Sequence, residues 1–259
     1  MSSSHPEQKL NLTPRQPALR RMTVGTLRRL GINKVVHRLY YRHVHGFRTA
    51  NKYVLPAIER CFAEAGRLRT LAESDYMEFG IFKGYSFWYA QEVASRTGAQ
   101  RMRFFGFDSF RGLPEVHGVD ATPEEDFYPG QYAASKDEVL RHLDARGVDW
   151  TRTFLVEGYF QDSLNDELKR RHDMRRVSIA LIDCDLYEST TRVLDFLSDL
   201  IGDGTILIFD DWNAFNSDSN RGERRAFREF LGRRSDLRAS HLFSYGHYGS
   251  VFVLNDTAR

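Results

Sequence analysis

The sequence predicts an α/β protein: a mostly parallel β-sheet with helices on both faces, preceded by a helical extension at the N-terminus. After residue 75, short apolar runs alternate with helical segments, which is the order of parallel strands joined by crossover helices. These runs are apolar on both faces, as expected for strands covered on both sides. Two final runs, 240–244 and 250–254, flank a short glycine-bearing turn and predict an antiparallel hairpin at one edge of the sheet.

Composition excludes several classes of protein. The chain has 259 residues, 41% of them hydrophobic and 28% charged, which is typical of a globular protein and not of a disordered, collagen-like or coiled-coil one. No uncharged apolar run approaches the roughly 18 residues that span a bilayer, and no apolar signal-peptide segment follows the polar start of the chain. Cys61 and Cys184 are too few for a disulfide framework or a four-cysteine zinc site. We therefore expect a reducing, cytoplasmic location.

Residues 1–70 are expected to form a basic helical extension in front of a domain that spans 71–259. The extension contains 14 Lys and Arg against 3 Asp and Glu, whereas the rest of the chain is net negative. Apolar residues recur at helical spacing over 19–47, and a further helix is predicted over 54–68. Such a segment favours an anionic partner (nucleic acid, a membrane surface or a charged substrate), or it forms a solvated helical face. Its Arg-rich start is also typical of an organelle transit peptide.

Five strands and five helices are expected within the second domain, before the hairpin. The strands lie at 76–80, 102–108, 153–157, 177–183 and 205–210, and the helices near 84–96, 136–146, 162–171, 187–201 and 221–233. Ligands bind at the carboxyl ends of the strands in such sheets, so the residues that follow each run are the candidates for a site. The acidic loop over 115–134, which includes Glu124, Glu125 and Asp126, is long enough to suggest a lid or a substrate loop.

The first three runs end in residues that favour nucleoside binding. The first passes through Gly80 and Gly84 into a helix, a turn that either lets a ligand approach the helix N-terminus or is simply tight. The second ends at Asp108, where nucleoside-binding α/β proteins hold ribose hydroxyls, unless this acid caps a turn. The third leads to Gly158 and Phe160, which would make room for a flat ligand and lie against it, although such a phenylalanine more commonly belongs to the core.

The fourth and fifth runs end in consecutive carboxylates. Asp183, Asp210 and Asp211 should repel one another unless a cation lies among them, and hard oxygen ligands suit Mg²⁺. Asp185, with a glutamate three residues later, fits a capping box at the start of a helix and is assigned to capping. His247, in the hairpin turn, is a candidate catalytic base that could reach this end of the sheet, or else a surface histidine.

Several of these segments resemble the macrocin/mycinamicin O-methyltransferase family of S-adenosylmethionine-dependent sugar methyltransferases. The resemblance covers about residues 75–232. The segments are Glu78-Phe79-Gly80-Ile81-Phe82-Lys83-Gly84, Asp108-Ser109-Phe110-Arg111-Gly112-Leu113-Pro114, Gly158-Tyr159-Phe160-Gln161-Asp162-Ser163-Leu164, Ile182-Asp183-Cys184-Asp185-Leu186-Tyr187-Glu188-Ser189-Thr190, Asp210-Asp211 and Gly222-Glu223-Arg224-Arg225-Ala226.

This resemblance implies a Rossmann-like class I methyltransferase fold, with a seven-stranded sheet whose last strand is antiparallel. It implies S-adenosylmethionine and Mg²⁺ as cofactors. The cofactor-binding residues that it implies are Glu78, Gly80, Gly84, Ser86, Asp108, Ser109, Gly158, Phe160 and Asp183, and the metal ligands are Asp183, Asp210 and Asp211. In this hypothesis Asp183 is the nearest candidate for the base that takes the proton from a sugar hydroxyl, and the acceptor is a glycosylated natural product, a glycolipid or a glycan.

Two other functions are consistent with the residues. The first is a metal-dependent glycosyltransferase that uses Asp183-Cys184-Asp185 to hold a nucleotide diphosphate, which leaves the glycine turn and the second acid pair without a role. The second is a non-catalytic protein that binds anions or membranes through its basic segment. The resemblance further implies a homo-oligomer and argues against nucleic acid as a partner. The basic N-terminal helices remain candidates for contact with a membrane, the acceptor or another subunit.

Overall fold

The computed structural model describes residues 46–48, 52–121 and 127–258. The helices predicted before residue 46 lie outside the described residues, as do Glu124, Glu125 and Asp126 in the acidic loop. The predictions for the basic segment and for the centre of that loop therefore stay predictions, as does the division of the chain at residue 70.

The sheet has seven strands in the order β3-β2-β1-β4-β5-β7-β6. β1 to β5 run parallel, and β7 pairs antiparallel with both β5 and β6. This confirms the predicted α/β fold and the terminal hairpin, in which β7 is inserted between β5 and the edge strand β6. The strands are β1 (Asp75–Phe79), β2 (Arg103–Asp108), β3 (Thr153–Glu157), β4 (Val177–Ile182), β5 (Ile206–Phe209), β6 (Leu237–Tyr245) and β7 (Gly249–Asp256).

Seven α-helices lie in the described part of the chain. They are α1 (Val54–Arg67), α2 (Tyr85–Arg96), α3 (Lys136–Asp144), α4 (Phe160–Ser163), α5 (Asp166–Arg171), α6 (Tyr187–Leu197) and α7 (Gly222–Gly232). The helix predicted over 162–171 is two short helices. They are separate because the Asn165 side chain accepts a hydrogen bond from the backbone N–H of Leu168 at 2.9 Å and starts a new helix there.

Successive side chains along each strand point to opposite faces of the sheet, so a hydrophobic layer forms on each face. Tyr76 points into the layer formed with α1, α2 and α3, and its neighbour Met77 points into the layer formed with α5, α6 and α7. α1 is part of the first layer because its buried residues recur every three or four positions, and Phe62 is fully buried among them. This helix therefore shares the core of the sheet, although it precedes residue 70.

Strand register brings the candidate site residues to one edge of the sheet. Phe79, the last residue of β1, pairs with Phe107 on one side and with Ile182 on the other, and Ile182 pairs with Phe209 at the end of β5. The residues that follow these strands therefore meet at the same carboxyl edge. β1 and β4 are buried along their whole length, so this edge has a rigid base.

Candidate active site

A cavity of about 310 Å³ lies at the carboxyl edge of β1, β2, β4 and β5. This volume is within the range of small-molecule sites. Its walls combine the glycine turn after β1, the ends of β2 and β3, and the acids after β4 and β5. The sequence-predicted residues among its lining are Gly80, Ser86, Asp108, Ser109, Gly158, Phe160, Asp183, Asp210 and Asp211.

The glycine turn brings the backbone that follows β1 close to the backbone that follows β4. Gly80 has a φ of +88°, and a Cβ atom there would lie 1.9 Å from the carbonyl oxygen of Asp183. No side chain fits in that space. Gly84 has a φ of +84° and forms the N-cap of α2. Both glycines are thus required by the turn, and the turn also lines the cavity at Gly80.

Glu78 lies beneath this turn as a fully buried acid. The hydroxyl of Tyr76 donates to its Oε2 at 2.7 Å, and the hydroxyl of Ser86 donates to its Oε1 at 2.6 Å. Burial raises the pKa of Glu78 to about 7, with smaller increases from the charges of Asp210 and Asp108, while the two hydrogen bonds lower it. Glu78 therefore titrates near neutral pH and orients Ser86 at the cavity wall.

Asp108 closes the neighbouring side of the cavity. Its Oδ2 accepts a hydrogen bond from the backbone N–H of Phe82 at 2.9 Å, and its Oδ1 accepts one from Phe110 at 2.7 Å. Burial raises the pKa of Asp108 to about 6, against the lowering effect of these N–H groups. Asp108 thus forms the turn considered as an alternative from the sequence and also lines the cavity. The Ser109 hydroxyl is used within the loop, where it donates to the Gly112 carbonyl at 2.7 Å.

The far wall of this half of the cavity contains Gly158 and Phe160. Gly158 has a φ of +139°, and a Cβ atom there would lie 3.0 Å from the Cβ of Ser163. The ring of Phe160 is half-buried and packs edge-on against Phe79, with 6.0 Å between centroids. The ring therefore touches the core and the residue also lines the cavity, while its contact with a flat ligand stays a prediction.

Four aspartates line the other half of the cavity, which we call the acid end: Asp183, Asp185, Asp210 and Asp211. Burial raises the pKa of Asp183 well above its usual range, and the charges of Asp210, Asp211 and Asp185 raise it further. Burial likewise raises the pKa of Asp211, followed by the charges of Asp185 and Asp210. The carboxylates that follow β4 and β5 are therefore close enough to repel one another, as the sequence predicted.

One further acid, Glu223 at the start of α7, belongs to this cluster and was not singled out as a site residue from the sequence. It is 1% exposed, and its Oε2 accepts a hydrogen bond from the backbone N–H of Asp211 at 3.1 Å. Within the described residues, the buried Oε1 of Glu223 and the buried Oδ2 of Asp211 have no hydrogen-bond partner. Buried carboxylate oxygens without a donor are costly, so they mark a place where a cation or proton is needed.

The assignment of Asp185 to helix capping is wrong. The N-cap of α6 is Leu186, whose side chain makes no capping hydrogen bond. Asp120, from the first half of the acidic loop, caps this helix instead: its carboxylate accepts hydrogen bonds from the backbone N–H groups of Tyr187 at 2.9 Å and Glu188 at 3.2 Å. Asp185, with a φ of 59°, lines the acid end.

The acidic loop reaches the cavity through its described flanks. Leu113 donates a backbone hydrogen bond to the Gln131 carbonyl at 2.9 Å and accepts one from Gly130 at 2.9 Å, so the two flanks are tied together. Leu113, Gln131 and Tyr132 line the cavity. The expected lid or substrate loop is consistent with this position, and its centre lies outside the described residues.

His247 is not brought into the cavity. It is exposed in the turn between β6 and β7, and its ring packs edge-on against Tyr53, with 6.2 Å between centroids. The alternative of a surface histidine fits this position, because the hairpin turn directs the ring toward the start of α1 rather than toward Asp183. Among the described residues no hydrogen bond joins His247 to the acid end, and its role as a base stays a prediction.

The donor chemistry of the acid end suits Mg²⁺, but the side chains are not arranged as a finished metal site. In residues 46–48, 52–121 and 127–258, no three His, Cys, Asp or Glu side chains converge in a metal-binding geometry. The unpartnered oxygen of Asp211 and the mutual repulsion of its neighbours are what a hard cation would relieve. The donor atoms therefore fit Mg²⁺ in their chemistry, although the described side chains do not form a complete set of ligands.

The strand order, the antiparallel β7 and the cavity at the carboxyl edge define the protein as one with the class I methyltransferase fold. Solved structures share this fold. The calicheamicin methyltransferase CalS11 has a TM-score of 0.65 and 22% identity, over 97% of this chain and 99% of that chain. The O-methyltransferase NovP has a TM-score of 0.61 and 20% identity, over 77% of this chain and 78% of that chain.

Residues 55–238 match the profile of the macrocin-O-methyltransferase (TylF) family, and the chain belongs to that family. A similar protein is the 8-demethyl-8-(2,3-dimethoxy-alpha-L-rhamnosyl)-tetracenomycin-C 4'-O-methyltransferase of Streptomyces olivaceus. It is 29% identical over 142 residues, which cover 53% of this chain and 52% of that protein. The match thus spans about half the length of that relative. Among the helices that the structure describes, none is both long and apolar enough to cross a membrane.

Proposed function

We propose that this protein is an S-adenosylmethionine-dependent O-methyltransferase that methylates a sugar hydroxyl of a glycosylated natural product, with Mg²⁺ held at the acid end. The observation that carries the proposal is one cavity with two chemically distinct halves. One half has glycine turns and the acid Asp108, and the other has the carboxylates of Asp183, Asp210 and Asp211. Membership of the macrocin-O-methyltransferase family supports methyl transfer, and the rhamnosyl group in the relative's name supports a sugar acceptor.

The first half of the cavity fits the cofactor. S-adenosylmethionine, when bound, supplies a methyl group activated by the sulfonium. Asp108 lines the cavity at the end of β2, where a carboxylate can accept hydrogen bonds from the two ribose hydroxyls. Gly158 and Phe160 line the cavity after β3, where they would lie beside the adenine. Ser86 lines the wall next to the glycine turn, where the polar methionine end would lie, and buried Glu78 accepts the hydrogen bond of its hydroxyl.

The second half fits a divalent cation and the acceptor. Asp183, Asp210 and Asp211 would hold Mg²⁺, and a bound cation supplies a lower pKa for a coordinated hydroxyl. The unpartnered Oδ2 of Asp211 is the observation that favours this. Asp183 lies between the two halves, because its carbonyl oxygen faces Gly80 and its carboxyl group lies among the acids. It is therefore the best-placed base to take the proton of the hydroxyl.

Alignment of the two reactants is the main contribution that the fold can make. The positions of both halves are fixed by five adjacent parallel strands, β3-β2-β1-β4-β5. Holding reactants in a productive geometry lowers the barrier by several kcal/mol, roughly 7–11 in the best cases. Side chains on the two walls face one continuous cavity of about 310 Å³.

The test is transfer of a labelled methyl group from S-adenosylmethionine to a panel of rhamnosyl and other glycosides, read by mass spectrometry. We expect a mass gain of one methyl group, lost in Asp183→Ala and Asp210→Ala, with S-adenosylhomocysteine affinity nearly unchanged by calorimetry. Binding of a nucleotide sugar in place of S-adenosylhomocysteine would favour a glycosyltransferase instead. Full activity after treatment with a chelator would remove Mg²⁺ from the proposal and leave methyl transfer standing.

The remaining expectations about partners belong to this proposal as well. The homo-oligomer stays a prediction, as does contact of the basic N-terminal segment with a membrane, the acceptor or a neighbouring subunit. Most of that segment lies outside the described residues. They can be measured by light scattering and by vesicle sedimentation on the full chain.

A further inference from the structure

Tyr245, at the end of β6, makes a contact that crosses the sheet. Its hydroxyl donates a hydrogen bond to Oδ1 of Asp210 at 2.8 Å and lies 3.4 Å from the carbonyl oxygen of Phe209. β6 is not a neighbour of β5, because β7 lies between them. The tyrosine side chain therefore has to pass over β7 to reach the acid end.

Gly249, the first residue of β7, leaves the space for this crossing. Tyr245 and Gly249 are directly paired in the register of the hairpin. A Cβ atom at residue 249 would lie 2.2 Å from Cζ and 2.4 Å from Cε1 and Cε2 of the tyrosine ring, closer than side chains approach one another. Gly249 is absent from the residues with positive φ, so the strand needs a glycine here for space and not for backbone conformation.

The hydrogen bond from Tyr245 fixes the side chain of Asp210, whereas the other hydrogen bond of this residue holds only its backbone. The backbone N–H of Asp210 donates to the Ile182 carbonyl at 3.0 Å, which places its Cα at the end of β5. The side chain of Asp210 lines the cavity, and its carboxylate accepts a hydrogen bond from Tyr245. Because the phenol occupies Oδ1, the second oxygen of Asp210 is left for a ligand in the cavity.

We infer that Tyr245 is a positioning residue that orients Asp210 for a divalent cation, and that Gly249 is required because it lets the tyrosine ring cross β7. This inference rests on the proposed metal site at the acid end. Ligating carboxylates are commonly held by a hydrogen bond on their outer side, and loss of such a partner costs about 10–100-fold in metal affinity or activity. Neither residue carries any signal in the linear sequence for this role.

A purely structural role for the phenol is less consistent with the hairpin. The β6–β7 pair is already tied by its ladder and by side chains, since the Ser244 and Ser250 hydroxyls lie 3.1 Å apart and His241 contacts Ser244 at 3.0 Å. Removal of one hydroxyl from Tyr245 leaves the ring and all these contacts in place. The change should therefore show in ligand binding at Asp210 and very little in folding.

The experiment measures Mn²⁺ binding to the full-length protein by electron paramagnetic resonance, in the presence of S-adenosylhomocysteine. We expect Tyr245→Phe to weaken Mn²⁺ binding about 10–100-fold, while the affinity for S-adenosylhomocysteine and the Tm stay at wild-type values. Tyr89→Phe is the matched control, because its hydroxyl also donates to a carboxylate, Glu59 at 2.5 Å, away from the cavity. This control should bind Mn²⁺ as the wild type does.

Gly249→Ala tests the second half of the inference, with Gly232→Ala as its control because a Cβ atom at 232 meets nothing within 4 Å. We expect weaker Mn²⁺ binding in Gly249→Ala alone, and no further weakening when it is added to Tyr245→Phe, since both act through one hydrogen bond. Wild-type Mn²⁺ affinity in Tyr245→Phe would overturn the inference and leave the proposed metal site intact. Absence of Mn²⁺ binding to the wild type would overturn both, while labelled-methyl transfer would still decide the proposed reaction.

Discussion

Replacement of Gly80 by alanine should disable the site by moving a backbone and not by removing a functional group. The new Cβ atom would lie 1.9 Å from the carbonyl oxygen of Asp183, and real contacts of this kind are not shorter than 3.0 Å. One of the two backbones must therefore shift by about 1 Å, and a misplacement of that size costs about 100-fold in rate. The φ of +88° adds a conformational penalty of about 1–2 kcal/mol for a residue with a Cβ.

Gly98→Ala separates these two effects. Gly98 has a φ of +80°, nearly the same as Gly80, but a Cβ atom there would meet nothing within 4 Å. Both variants should lose about 1–2 kcal/mol of unfolding free energy in urea from the backbone alone, and only Gly80→Ala should also lose turnover of labelled methyl groups. If Gly80→Ala keeps its turnover within threefold of Gly98→Ala, the close approach of the two strands does not govern the position of Asp183, and the reasoning fails.

Three further predictions concern stability. Asp75→Asn should lower the free energy of unfolding by about 3–5 kcal/mol, because buried Asp75 forms a bidentate pair with Arg103 at 2.8 Å; equal urea midpoints for variant and wild type would contradict this. The pKa of Glu78 is about 7 in the folded protein and 4.5 in the unfolded chain, so the folded protein holds this proton to higher pH. Glu78 therefore stabilises the fold at low pH. This contribution, about 3 kcal/mol, is lost as the pH rises from 4.5 to about 7. Thermal unfolding of Glu78→Gln should accordingly depend less on pH over that window, and an unchanged pH profile would refute the assignment. Asp120→Ala should cost about 1 kcal/mol, since the N–H groups of Tyr187 and its neighbour lose their cap, and a matching loss in Asn165→Ala would give the scale for an ordinary cap.

The fold and most of the site could be predicted from the sequence because both depend on local patterns. Strand runs that are apolar on both faces predict the sheet, and the acids that end these runs predict that Asp108, Asp183 and Asp210 lie at one edge, where the structure places them. The carboxyl ends of neighbouring parallel strands lie at the same edge of the sheet, so residues that end such strands are expected to be close in space.

What the sequence did not predict depends on contacts between distant residues. Asp185 matched a local capping signature, but Asp120, from a loop more than sixty residues earlier, takes that role with two hydrogen bonds. His247 faces Tyr53 because of the direction of a hairpin turn, which turn residues alone do not specify. Tyr76 could have been found, since it lies two positions before Glu78 and thus on the same face of β1.

The insertion of β7 between β5 and β6 also has a consequence for synthesis of the chain. Residues 249–256 are the last part of the sheet to leave the ribosome, and until they do, β5 has an open edge on that side. The half of the cavity built from β1, β2 and β3 can form before that moment, whereas the half that depends on β5 and its acids has to wait. A nascent chain paused before residue 249 would therefore be expected to expose an unpaired strand, which is the kind of edge that chaperones protect from aggregation.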